Sequence, residues 1–123
     1  MLAIVVIVIV TFFGWNSWTL NTAKIQLNGV TENEKILIFN ECKKLIDESK
    51  ENRSSKILTP DKAPSFSFLD ISFVRYNNLS CEVFLYKVPG KGLGFSVYKS
   101  KSSEYEFAWF NDFESWDRHE IKL

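Results

Sequence analysis

The sequence predicts an α+β fold: an N-terminal transmembrane helix, then one amphipathic helix packed on a four- to five-stranded antiparallel meander sheet. Three observations carry this. An uncharged, largely apolar stretch opens the chain, a stripe of helical period comes after it, and from Ser65 onward the apolar period falls to two.

Residues 2–20 (LAIVVIVIVTFFGWNSWTL) hold no charged side chain. About 19 residues rising ~1.5 Å each reach roughly 28 Å, close to the ~30 Å hydrocarbon thickness of a bilayer. Helix is the single-segment solution in lipid, because each backbone N–H and C=O must find its partner within the segment. Trp15 and Trp18, three apart on one helix face, suit the aromatic belt at the membrane surface. A buried strand over residues 2–10 would leave 11–20 unexplained. A cleaved signal would need a basic n-region and a small-x-small cleavage site. The chain has no Lys or Arg before Lys24, and Asn21-Thr22-Ala23 starts on Asn. The expectation is therefore a retained anchor over 1–20, a tether over 21–30 and a small α+β domain over 31–123.

In the tether, Ala23, Ile25 and Leu27 alternate and read as a brief strand or extended link, ending at Asn28-Gly29. Thr31-Glu32-Asn33-Glu34 has the form of a capping box, so a helix begins there. Ile38, Cys42, Leu45 and Ser49, with Phe39 and Ile46 beside them, make its apolar stripe, and Glu41, Lys44, Asp47, Glu48 and Glu51 its polar face. The end is expected at 50–52. Residues 52–64, with two of the three prolines, read as a connection.

In residues 65–76, Phe66 and Phe68 give way to Leu69, Ile71 and Phe73, a phase shift that predicts a strand with a bulge. Asn77-Asn78 makes a tight turn, since Asn tolerates positive φ. Strands are expected over 79–88, 93–99 and 104–110, joined by turns at 89–92 and 100–103, with a short strand at 120–123. Phe84, Tyr86, Tyr105 and Phe107 load the second sheet face as well, which one helix leaves uncovered and in want of a partner.

Fifteen basic residues against fifteen acidic ones leave no field that favours nucleic acid. Two readings of Cys42 and Cys81 stay open: a disulfide in an oxidising compartment, or two small buried thiols in the cytoplasm. With one His and no CxxC, neither a metal site nor a cofactor is expected. Gly90-Lys91-Gly92-Leu93-Gly94 lies between two strands, where a phosphate loop needs a strand and a helix, so it reads as a hairpin. His119 lies near Asp112, Ser115, Asp117 and Glu120, but such a constellation is recognised by geometry and not by crowding in sequence.

Aromatic and acidic side chains mix near the C-terminus. Trp109, Phe110, Asp112, Phe113, Glu114 and Trp116 are the candidate interface, suited to a protein partner with a basic surface. The resulting expectation is a single-pass, non-catalytic interaction protein, either an accessory subunit of an envelope complex or an inhibitor or immunity protein. Lys24 and Lys35 after the anchor would place the domain in the cytoplasm by the positive-inside rule. A short N-terminal tail before a hydrophobic segment instead exports the chain beyond it, and the expected side is periplasmic or otherwise extracytoplasmic. The alternative function is a small envelope enzyme acting through His119 and its neighbouring carboxylates.

Overall fold

A computed structural model describes residues 2–49 and 55–123, with the side chains of the first helix described at 4–8 and 17–29. Two helices, α1 (Leu2–Gly29) and α2 (Glu32–Ser49), pack on one face of a six-stranded antiparallel sheet. The strands are β1 (Lys56–Leu58), β2 (Phe73–Tyr76), β3 (Ser80–Val88), β4 (Lys91–Lys99), β5 (Tyr105–Asn111) and β6 (Ser115–Glu120), and their order in the sheet is their order in sequence. The α+β class is as the period change implies; the strand count is six where four to five were expected.

The N-terminal segment differs from expectation in two ways. Among the described residues, no helix is long and apolar enough to cross a membrane. The middle of the anticipated span, 9–16, including Trp15, lies outside the described side chains. Nor is 21–29 extended: α1 continues through it to Gly29. Ala23, Leu27 and Val30 are buried and Leu20 packs beside them, whereas Ile25 is 74% exposed. The period that matters is therefore three to four, and the alternation Ala23-Ile25-Leu27 is incidental. Gln26 completes the docking, its amide donating to Asp70 O at 3.1 Å and accepting from Asp70 N–H at 2.7 Å. Lys24 pairs with Glu114 at 3.0 Å.

The capping box forms at the head of α2. Glu34 N–H donates to Thr31 Oγ1 at 3.2 Å, and Thr31 N–H donates to Glu34 Oε1 at 2.9 Å. Those bonds hold the Glu34 carboxyl below its ordinary value of 4.5, the Thr31 backbone contributing most. A depressed carboxylate stabilises the fold above its unfolded pKa and releases that stability as pH falls through the folded one. Acidification below pH ~4.5 is thus expected to fray the first turn of α2, read as a fall in amide protection at residues 32–35, relative to the intrinsic exchange rate at each pH, that Glu34→Gln does not share; protection there that is the same at acid and neutral pH would refute it.

Ile38, Cys42, Ile46 and Ser49 form the buried stripe of α2. Cys42 and Cys81 form a disulfide with a Cα–Cα distance of 5.4 Å, which joins α2 to β3. The expected helix end at 50–52 lies outside the described residues.

Where a bulged strand was expected, residues 65–72 are not in the sheet. Pro64 starts a 3-10 turn (Pro64–Phe66), and Phe66, Leu69 and Ile71 bury beneath the helices from a loop. The phase shift marks chain leaving the ladder; the register shifts lie elsewhere, at Phe84/Tyr86 and Phe110/Asn111. Part of the supposed connection is instead β1, whose Leu58 pairs with Val74. Asn77 turns the chain by accepting Leu79 and Ser80 N–H at 2.8 and 2.9 Å on its side-chain oxygen, an Asx turn that needs no positive φ. The last strand runs over Ser115–Glu120, upstream of the expected 120–123.

On the sheet face away from the helices, cations of the chain itself cover an aromatic row, while Tyr105 and Phe107, expected on that face, turn to α2, bonded to Asp47 and packed on Phe39. Phe73, Phe84, Gly94, Phe110 and Arg118 stand in one row across five strands. Lacking a side chain, Gly94 lets the Phe84 and Phe110 rings meet at 5.5 Å across it. Arg118 lies 4.4 Å over Phe110 and Arg75 5.2 Å over Phe84, and each is held by a carboxylate, Asp112 and Glu82, at 2.8 Å. Phe84 is 3% exposed and Phe110 0%. Arg118→Ala is expected to cost about 1–2 kcal/mol by uncovering Phe110 and stranding Asp112, with Arg118→Lys intermediate; urea midpoints read both, and an unchanged Ala midpoint would refute the lid.

Candidate functional site

The C-terminal aromatic and acidic run does not form one patch, because strand alternation sends its members to different faces. Trp109 is on the helix side, stacked on His119 with ring centroids 4.0 Å apart. Phe110 is on the other side beneath Arg118. Asp112 is a latch: its carboxylate accepts Gly92 N–H at 3.0 Å and Arg118 at 2.8 Å, and its own N–H donates to Gly92 O. Phe113 packs on Tyr86 at 5.5 Å, and Glu114 carries the ion pair to α1. Trp116 is 66% exposed, on the face that Arg118 occupies. Trp18, of the two tryptophans expected at a membrane surface, is 60% exposed beside Thr22, Asp70 and Leu85.

His119 is not assembled into a triad. Its described neighbour is the Trp109 ring, Asp112 is engaged by Gly92 and Arg118, and Ser115 and Asp117 bond to each other at 3.1 and 3.2 Å. Among the described residues, no group of three or more His, Cys, Asp and Glu is placed to hold a metal. The glycine string likewise has structural work in each member. Gly90 sits at φ +82° after Pro89 in the β3–β4 turn, a Cβ on Gly92 would meet Phe84 at 2.7 Å, and one on Gly94 would meet Val83 O at 1.9 Å.

A different site emerges where β6 stops short of β5. Glu104, Glu106 and Glu120 rim a groove of about 280 Å³ whose wall is Phe39, Tyr105, Phe107, Ile121 and Leu123. The β5–β6 register brings Glu120 opposite Ala108, two residues from Glu106 along the same face. Tyr98 pairs with Glu106 across β4–β5, and a hydrogen bond to that carboxylate, aided by burial and by the charges of Glu106 and Glu120, raises the Tyr98 hydroxyl above its ordinary value. Tyr105 donates to Asp47 of α2, and Lys43 lies 5.0 Å over Phe39 and 5.4 Å over Tyr105, so α2 is clasped to this end of β5. Three carboxylates beside an aromatic wall attract a cationic side chain. No spacing in the sequence joins Glu104 and Glu106 to Glu120, whose arrival depends on a strand register that no local pattern specifies.

No protein-family model matches the chain, and no curated protein or solved structure matches it.

Proposed function

We propose that this chain is a non-catalytic membrane-tethered interaction protein, an accessory subunit of an envelope complex or an inhibitor or immunity protein, with its sheet domain outside the cytoplasm. The observation that carries the reading is the division of α1. Its C-terminal part is fastened to the sheet through Leu20, Ala23, Lys24, Gln26 and Leu27, while Ile4–Val8 are 51–66% exposed. Five consecutive exposed Ile and Val side chains are costly in water and favourable in lipid. The disulfide supports the extracytoplasmic side, since such bonds persist in oxidising compartments. The acidic groove supports a partner with a basic surface.

Alkaline carbonate washing of membranes that carry the chain is expected to leave it in the pellet; recovery in the wash overturns the tether. Alkylation of intact cells without reductant is expected to find Cys42 and Cys81 unmodified after denaturation, and free thiols overturn the sidedness. Glu104→Lys combined with Glu120→Lys is expected to abolish the crosslinked adduct that the native chain forms in intact membranes, while His119→Ala retains both adduct and phenotype. The reverse pattern would favour an envelope enzyme working through His119.

A further inference from the structure

We propose that the β3–β4 hairpin tip, Lys87-Val88-Pro89-Gly90-Lys91, rests in the headgroup layer of an anionic membrane and sets the domain's orientation there. The inference deepens the tethered reading and rests on it. Chain direction supplies the geometry. Leu27 and Asn28 of α1 lie by Trp109 of β5, and Lys24, nearer the start of α1, reaches Glu114 just beyond the end of β5. On β3, Leu85 lies level with Trp18 to Ala23. Both strands therefore run toward the N-terminal end of α1. The β3–β4 and β5–β6 turns consequently share the sheet edge from which the exposed Ile4–Val8 segment departs, joined there by the Gly92–Asp112 bonds.

Beyond Leu85 the hairpin extends roughly 10 Å further in the same direction, at ~3.3 Å per residue. An α1 that is continuous to Gly29 and clamped by Gln26 and Lys24 leaves no flexible tether with which to lift this edge away. Its chemistry suits the depth. Val88, Pro89 and Gly90 offer apolar surface with few donors, and a lysine stands on either side. The carboxylates of the adjoining turn are neutralised, Asp112 by Arg118 and Glu114 by Lys24. Asp70, on the neighbouring loop, and Asp117, near the start of β6, carry no ion pair among the described residues; within the hairpin tip itself Lys87 and Lys91 are the charged side chains.

The test reconstitutes the full chain in vesicles of phosphatidylcholine, with or without phosphatidylglycerol, carrying a headgroup quencher. An environment-sensitive fluorophore is attached at Pro89→Cys or, as control, at Lys101→Cys in the β4–β5 turn at the opposite edge; the bonded Cys42 and Cys81 do not compete. The expected result is quenching at position 89 and none at 101. Phosphatidylglycerol is expected to strengthen it, and Lys87→Gln with Lys91→Gln to weaken it, by about fivefold for each lysine neutralised. Equal quenching at the two positions, or quenching at 89 indifferent to lipid charge and to the double variant, overturns the inference while leaving the tether intact. Release of the chain by carbonate overturns the tether itself.

Discussion

Reduction of the Cys42–Cys81 bond is expected to lower the stability of the sheet domain by about 4 kcal/mol. The bridge closes a segment of sequence separation 39 and joins the middle of α2 to the start of β3. Without it, the unfolded chain regains the entropy of a large open loop, which is where the chain-entropy account places the stabilisation. Both cysteines are fully buried, so a reductant acts chiefly on molecules that have already opened. Guanidinium midpoints of the same protein with and without reductant isolate the effect, because no core atom is removed; Cys42→Ala with Cys81→Ala gives the same loss plus a small cavity term. Coincident midpoints would show that the bridge contributes nothing to stability.

Gly94→Ala is expected to destabilise by roughly 3 kcal/mol or more, beyond what its one added methyl suggests. The new Cβ would stand 1.9 Å from Val83 O and 3.2 Å from Phe84 Cα, and these are backbone atoms of the paired strand at the register shift. Relief requires parting β3 from β4 in the centre of the sheet, which breaks ladder bonds and the Phe84–Phe110 contact. Gly29→Ala provides the contrast. Its Cβ would meet nothing within 4 Å, and Ala is favoured over Gly in helix by about 0.5–1 kcal/mol, so it is expected to be neutral or stabilising. Thermal melts of the two variants side by side decide the matter; a Gly94→Ala protein that melts with the native one refutes the close approach.

The parts of the fold legible in the sequence are those whose signal is local. Thr31 and Glu34 announce the start of α2 because each satisfies the other's backbone donor within one turn. The β3, β4 and β5 strands are visible because alternate side chains bury on the helix-covered face. The features that escape depend on chain remote in sequence. SWDRHE in β6 shows no apolar alternation and is a strand because β5 offers it a ladder. Residues 21–29 mislead because two periods fit so short a run, and contact with the sheet selects the helical one. Asp112 and Glu114 resemble a free acidic patch, yet one latches β4 and the other holds α1.

By itself, then, the sequence determined the α+β class, the apolar opening, the capped second helix and the absence of net charge, since composition and short-range periodicity are properties of the chain in any conformation. Tertiary structure alone decided that the opening segment continues as one helix clamped to the sheet, that Arg75 and Arg118 cover an aromatic row on the second face, and that Glu104, Glu106 and Glu120 share a groove. The reason is physical: strand register and helix docking are chosen by the burial of surfaces distant in sequence, and a shift of one residue would reverse every face.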